Sequence, residues 1–202
     1  MGMDRGTIVI GALALGACAP TGAVVAPAAR LAAAGCPDWQ SVGSAPGKLW
    51  WAEQRWRYRS DEEAKQAYAR LATASPSPWP DWFASDDQVP QRTLPAGTRF
   101  QMALAAGQPT EKPGRFGTFD RIRSVADVRE GLAVRSNWKK NIDRVVTYEV
   151  VRPIRVKVGP IGPQVDDETC ALLPGRWSQF EVVEPRADLI QSLHVVEERP
   201  IR

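Results

Sequence analysis

Histidine and cysteine are what this sequence has least of, with one His and three Cys in 202 residues. A catalytic metal site built from several imidazoles is excluded, as is a zinc cage of four thiolates. Any Ser-His-Asp triad is confined to His194, which sits in an apolar stretch and reads as structural rather than as a base. Excess charge of one sign is lacking too. Lys and Arg number 26 against 23 Asp and Glu, a formal net charge of +3. No basic field argues for a nucleic-acid partner. The apolar run Thr7–Ala17 (TIVIGALALGA) falls well short of the roughly 20 residues that span a bilayer. What is present is a composition 44% hydrophobic and 24% charged, with 8 Trp and 17 Pro. That suits one folded, loop-rich domain carrying an extension.

The N-terminal run has the length of a signal-peptide core and ends in Leu15-Gly16-Ala17-Cys18. Small residues before a Cys, with Leu three positions ahead, resemble a bacterial lipobox, in which the Cys is acylated. The expectation is export: residues 1–17 as signal peptide, Cys18 as a lipid anchor on the membrane, and 18–36 as an Ala/Pro/Gly-rich tether. The product is a periplasmic or membrane-anchored lipoprotein, or a secreted protein. Cys36 and Cys170 are then left as a disulfide or as two free thiols.

Residues 37–93 form a Trp-rich covering segment. Within it, Ser60-Asp61-Glu62-Glu63 is a capping box, and Ala64, Ala67, Tyr68 and Leu71 make one apolar helical stripe. Residues 94–202 change to a period of two. Strands are expected at 97–105, at 145–151 with Val146, Tyr148 and Val150 on one face, at 154–158, at 179–183 and at 193–196. A short helix follows Ser124, with Val125, Val128 and Leu132 inward. Strands outnumber helices and the connections are too short for crossovers. The fold class is α+β, a small, mainly antiparallel split sheet with a few short helices.

No active site is evident from motifs alone. Gly114-Arg115-Phe116-Gly117 lacks the ending of a phosphate loop. Asp166-Asp167-Glu168 reads as a solvated turn rather than a cation site, so no metal is expected. Arg99, Arg115, Arg121 and Arg129 gather around one strand and its following loop, and guanidinium groups grip phosphates bidentately.

One ordered pattern goes further. Leu94-Pro95-Ala96-Gly97-Thr98, Tyr148-Glu149-Val150, Pro153, Val156, Gly159-Pro160-Ile161-Gly162-Pro163 and Leu173-Pro174-Gly175-Arg176-Trp177-Ser178-Gln179-Phe180 follow one another. Together they resemble the tuberculosis necrotizing toxin family. The resemblance implies a split-sheet fold related to ADP-ribosyltransferases. It also implies hydrolysis of NAD, as substrate rather than cofactor, by an exported toxin with an immunity protein as partner. Gln179, after the glycine turn, matches the family's catalytic Gln. Arg99 stands for its strand Arg, three residues before the ungapped position, which Met102 occupies. The family's His before the Tyr-Glu-Val strand is replaced by Val145-Val146-Thr147. Around Gln179, Arg99, Arg115 and Arg121 would neutralise the diphosphate, Phe116, Phe119 or Trp177 would stack on nicotinamide, and Glu149 or Glu181 would add a carboxylate. This reading requires an Arg pair and Gln179 to converge on one cleft. The alternative is a non-enzymatic envelope lipoprotein that binds a protein or glycan through its Trp-rich face.

Overall fold

The computed structural model describes Cys36, residues 38–73 and residues 77–202. The signal run, Cys18 and the tether up to residue 35 lie outside the described residues.

The first elements are helical. Helix α1 (Ala45–Gln54) starts where Ser44 accepts a hydrogen bond from Gly47 N, with Pro46 in the first turn. Gly47 is obligatory there, because a Cβ would lie 2.4 Å from the Ser41 carbonyl oxygen. A 3₁₀ turn (Arg55–Arg57) leads to helix α2 (Asp61–Leu71), capped by Ser60 through Glu63 N at 3.1 Å. The Glu63 carboxylate reaches back to Arg59 N rather than to Ser60 N. The expected stripe faces inward, with Ala64, Ala67 and Tyr68 buried and Leu71 half-buried beside Trp50 and Val165.

Among the described residues nine strands follow: β1 (Gln91–Leu94), β2 (Arg99–Ala105), β3 (Phe116–Gly117), β4 (Ile142–Val150), β5 (Ile154–Pro160), β6 (Gln164–Asp166), β7 (Ala171–Leu173), β8 (Ser178–Val182) and β9 (Leu193–Pro200). A one-turn π-helix occupies Asp127–Gly131, and helix α3 spans Arg186–Ser192. The strands form a four-stranded sheet β1-β5-β8-β3, a three-stranded sheet β2-β4-β9 and the hairpin β6-β7. Every pairing is antiparallel. The fold is therefore α+β with a split sheet. Its two halves meet where Gln101 and Thr118 exchange backbone hydrogen bonds of 2.9 and 3.0 Å.

The alternation that marked β2 and β4 is the core. Phe100, Met102 and Leu104 face Val146, Tyr148 and Val150, joined by Phe180, Val156 and Leu189. Phe100 and Phe180 meet edge to face at 4.8 Å, a contact worth about 0.5–1.5 kcal/mol beyond burial. β4 starts three residues before the expected strand, and β9 runs four residues past its expected end. Both extra segments carry charges (Asp143, Arg144; Glu197, Glu198, Arg199) on the exposed or half-buried side.

Cys36 and Cys170 form a disulfide across a separation of 134 residues. Beside it, the fully buried Arg135 donates to Thr73 O at 2.9 Å and to Asp167 at 2.7 Å. Its guanidinium carbon lies 5.6 Å from the Trp39 ring and 5.4 Å from Trp138.

Candidate functional site

Gln179 is placed by the turn before it and by a hydroxyl–carboxylate clamp. Gly175 adopts a left-handed φ of 70°, and a Cβ there would approach the Gly162 carbonyl oxygen to 2.7 Å. The turn is held by hydrogen bonds from Gly175 N to Glu130 O and from Ile161 N to Trp177 O. Ser178 then donates through both its backbone N and its Oγ to Asp120 Oδ2, each at 2.7 Å, while Thr118 Oγ1 donates to Ser178 O. With both neighbours of the peptide fixed, Gln179 enters β8 opposite Gly159. Its side chain is buried, and its amide nitrogen has no hydrogen-bond partner.

That side chain lines a cleft of about 570 Å³ between the two sheets. Met102, Val128, Leu132, Val134 and Ile161 supply its apolar surface. Phe116 and Trp138, both more than 40% exposed, stand on it as open aromatic faces. Its cations are Arg115, Lys139 and Arg186, and no Asp or Glu lines it. Arg115 donates through Nε and Nη2 to Val182 O at 3.1 and 2.8 Å and lies 3.6 Å from Glu181. Burial, together with the neighbouring Arg129 and Arg144, pulls the Lys139 ammonium below the usual lysine range.

Three of the residues singled out in the sequence thus come together: Gln179, Arg115 and Phe116. Two arginines line the same cleft as Gln179, Arg115 and Arg186. Arg99 opens β2 on the exposed side and is engaged with Glu149 across β4 at 2.7 Å. The one register irregularity between β2 and β4 falls at Leu104/Ala105, too far along the strand to turn Arg99 inward, and Met102 lines the cleft instead. Arg121 is exposed and away from the cleft lining. Phe119 packs on Phe180 at 5.2 Å. Trp177 lies over Gly131, where a Cβ would meet its ring at 2.5 Å. Arg129 is spent on four backbone carbonyls (Val134, Arg135, Lys139 and Lys140). His194 is exposed on β9, opposite Glu149.

The acidic run is internally satisfied. Asp166 is buried; burial raises its pKa, yet hydrogen bonds from Ser136, Glu168 and Thr169 bring it below the usual carboxylate value. Glu168 pairs with Lys140 at 3.5 Å. Among the described residues no group of three His, Cys, Asp or Glu is arranged to hold a metal ion.

Sequence reasoning missed Gln101, Trp138, Lys139 and Arg186. Gln101 uses both ends of its amide structurally, accepting from Ile122 N and donating to Thr147 Oγ1. The signal for the others was faint: Trp138-Lys139-Lys140 is an ordinary polar loop until the fold turns it toward β2.

No family model matches the chain, and no curated protein matches it. Several solved structures are similar in part. The structure of Tne2 in complex with Tni2 shares 25% identity over 56% of this chain and 92% of that one, with a TM-score of 0.47. Rhs1-CT in complex with its cognate immunity protein RhsI1 shares 18% identity over 55% and 79%, with a TM-score of 0.38. Tse6 in complex with Tsi6 shares 14% identity over 75% and 94%, with a TM-score of 0.36. All three were solved bound to a partner protein. At these scores the likeness extends to part of the chain path, and the function must come from the cleft itself.

Proposed function

We propose that this chain is an exported NAD glycohydrolase-like toxin domain that cleaves the nicotinamide–ribose bond of NAD. The observation that carries the reading is the buried Gln179 amide, unpartnered at its nitrogen, in a cleft lined by cations and open aromatic faces but by no carboxylate. Breaking the glycosidic bond releases neutral nicotinamide and leaves an oxocarbenium-like ribosyl group. Water then adds at the anomeric carbon and loses a proton to solvent. The protein's task is to hold the sugar, balance phosphate charge and admit one water. The Gln179 amide donates to a ribose hydroxyl or orients the water. Arg115 and Arg186 face the diphosphate, and Phe116 or Trp138 stacks on a planar base. Export through the Cys18 lipobox and protection by an immunity protein belong to the same reading.

The exposed Leu49, Trp56 and Trp82 favour the second reading, a lipoprotein that docks a protein or glycan through its Trp-rich face. One experiment separates the two. Purified full-length protein incubated with NAD releases nicotinamide, and Gln179→Ala lowers the rate by about a hundredfold or more. A folded parent that leaves NAD intact overturns the enzyme reading.

A further inference from the structure

Lys139 is the unusual member of the cleft. Its Nζ donates to Ala103 O on β2 at 2.6 Å, which leaves two of three ammonium donors unused. Its charged neighbours are of the same sign, Arg129 and Arg144. Those two are already engaged, Arg129 by carbonyls and Arg144 by Asp143 at 2.8 Å and Glu198 at 2.9 Å. Among the described residues Lys139 has no carboxylate within ion-pair distance, and neither does Arg186, whose Nη2 makes only a 3.3 Å contact with Lys112 O. A half-buried ammonium without a counter-ion is costly. The cleft is therefore organised for a ligand that brings its own negative charge.

We propose that Lys139, with Arg186, anchors the diphosphate of a nucleotide in this cleft, while Phe116 or Trp138 takes a planar base. This rests on the NAD reading for the identity of the substrate but not for the anion site. Lys139 joins the cleft wall to β2 through Ala103, so the anchored phosphate is held at a fixed distance from the strand pair that also presents Met102 and Gln101. Arg115 plays the lesser part, because Val182 O already occupies two of its donors. Lys139 is a binding residue, and its loss raises KM for NAD while leaving kcat nearly intact.

The test is calorimetric binding of ADP, pyrophosphate and adenosine to the full chain. It uses Lys139→Gln (which keeps a donor for Ala103 O), Lys139→Arg, Arg186→Gln, and Lys140→Gln as the neighbouring control. ADP binding weakens about tenfold in Lys139→Gln, is largely retained in Lys139→Arg and is unchanged in Lys140→Gln. Adenosine binds weakly to all of them. Pyrophosphate that binds as tightly as ADP marks a bare anion site and removes the base-stacking half of the proposal. If Lys139→Gln melts well below the parent, Lys139→Arg and Arg186→Gln decide, the first retaining ADP and the second weakening it. Equal ADP affinity in the parent and in folded Lys139→Gln, or no ADP binding by the parent, overturns the proposal. The two readings fail separately. Lys139-dependent ADP binding without NAD turnover sinks the glycohydrolase alone, and NAD turnover with an unchanged KM in Lys139→Gln sinks the anchor alone.

Discussion

Gly117→Ala tests whether the seam beside the cleft is as tightly packed as it looks. Gly117 sits on β3 opposite Phe180, and a Cβ added there would lie 2.4 Å from Phe180 Cζ, 2.9 Å from Cε1 and 3.1 Å from a Phe100 ring carbon. The Phe180 ring has nowhere to turn. Phe100 meets it edge-on at 4.8 Å, Phe119 lies 5.2 Å away, and Phe180 itself is completely buried. Relief therefore requires β3 and β8 to separate. Overpacking of this kind costs about 1–3 kcal/mol, which in a domain of this size lowers the melting temperature by roughly 2–12 °C. Because Gln179 precedes Phe180 on β8, the same displacement moves the amide and, on the proposed glycohydrolase reading, depresses NAD turnover more than the lost stability explains. Thermal unfolding by circular dichroism reads the first effect and nicotinamide release the second. Phe180→Leu shortens the obstructing side chain, so the double variant melts higher than the sum of the single losses implies. A melting temperature equal to the parent's, or strict additivity in the double variant, refutes the packing argument.

Other consequences are open to measurement. Replacing Cys36 and Cys170 by Ser frees a separation of 134 residues; the loop-entropy estimate of about 5 kcal/mol lowers the melting temperature by roughly 10–20 °C, and a reductant-treated parent that melts like the untreated one contradicts it. Asp166→Asn removes a carboxylate whose folded pKa lies below its unfolded value. The stability that Asp166 contributes is thus present at neutral pH and lost as pH falls through that folded pKa. The variant is about 1–3 kcal/mol less stable at pH 7, and urea titrations at pH 7 and pH 3 show the gap closing; a constant gap speaks against the carboxylate's role.

Much of the fold is legible because two strands carry it on both sides. Phe100-x-Met102-x-Leu104 and Val146-x-Tyr148-x-Val150 alternate cleanly because both sets face the same core, although Ala103 and Val145 on the opposite side meet a second, smaller cluster. The Ser60 cap was readable for a similar reason, as local hydrogen bonding needs no tertiary context. Helix α1 was not. Trp50 and Trp51 point in different directions, with Trp50 buried and Trp51 half-buried, so its apolar residues form no stripe. β6 and β7 are three residues each, too short for any period to show. α3 has Pro185 as its N-cap and no side-chain cap. The site divides the same way. Gln179 was singled out through the family resemblance carried by the glycine turn before it, whereas Lys139 and Arg186 reach the cleft only because a loop folds back upon β2 and the start of helix α3 lies against the segment before β3.

The bridge between Cys36 and Cys170 also partitions the site by covalent topology. Arg115, Phe116 and Lys139 lie inside the ring it closes, while Gln179 and Arg186 belong to the tail that leaves it. A protease that cuts an exposed turn within the ring, such as the left-handed turn at Gly107, produces two polypeptides that remain a single molecule. Each fragment carries part of the cleft, and only a reductant parts them. The nicked and intact forms migrate together on a non-reducing gel and separate on a reducing one.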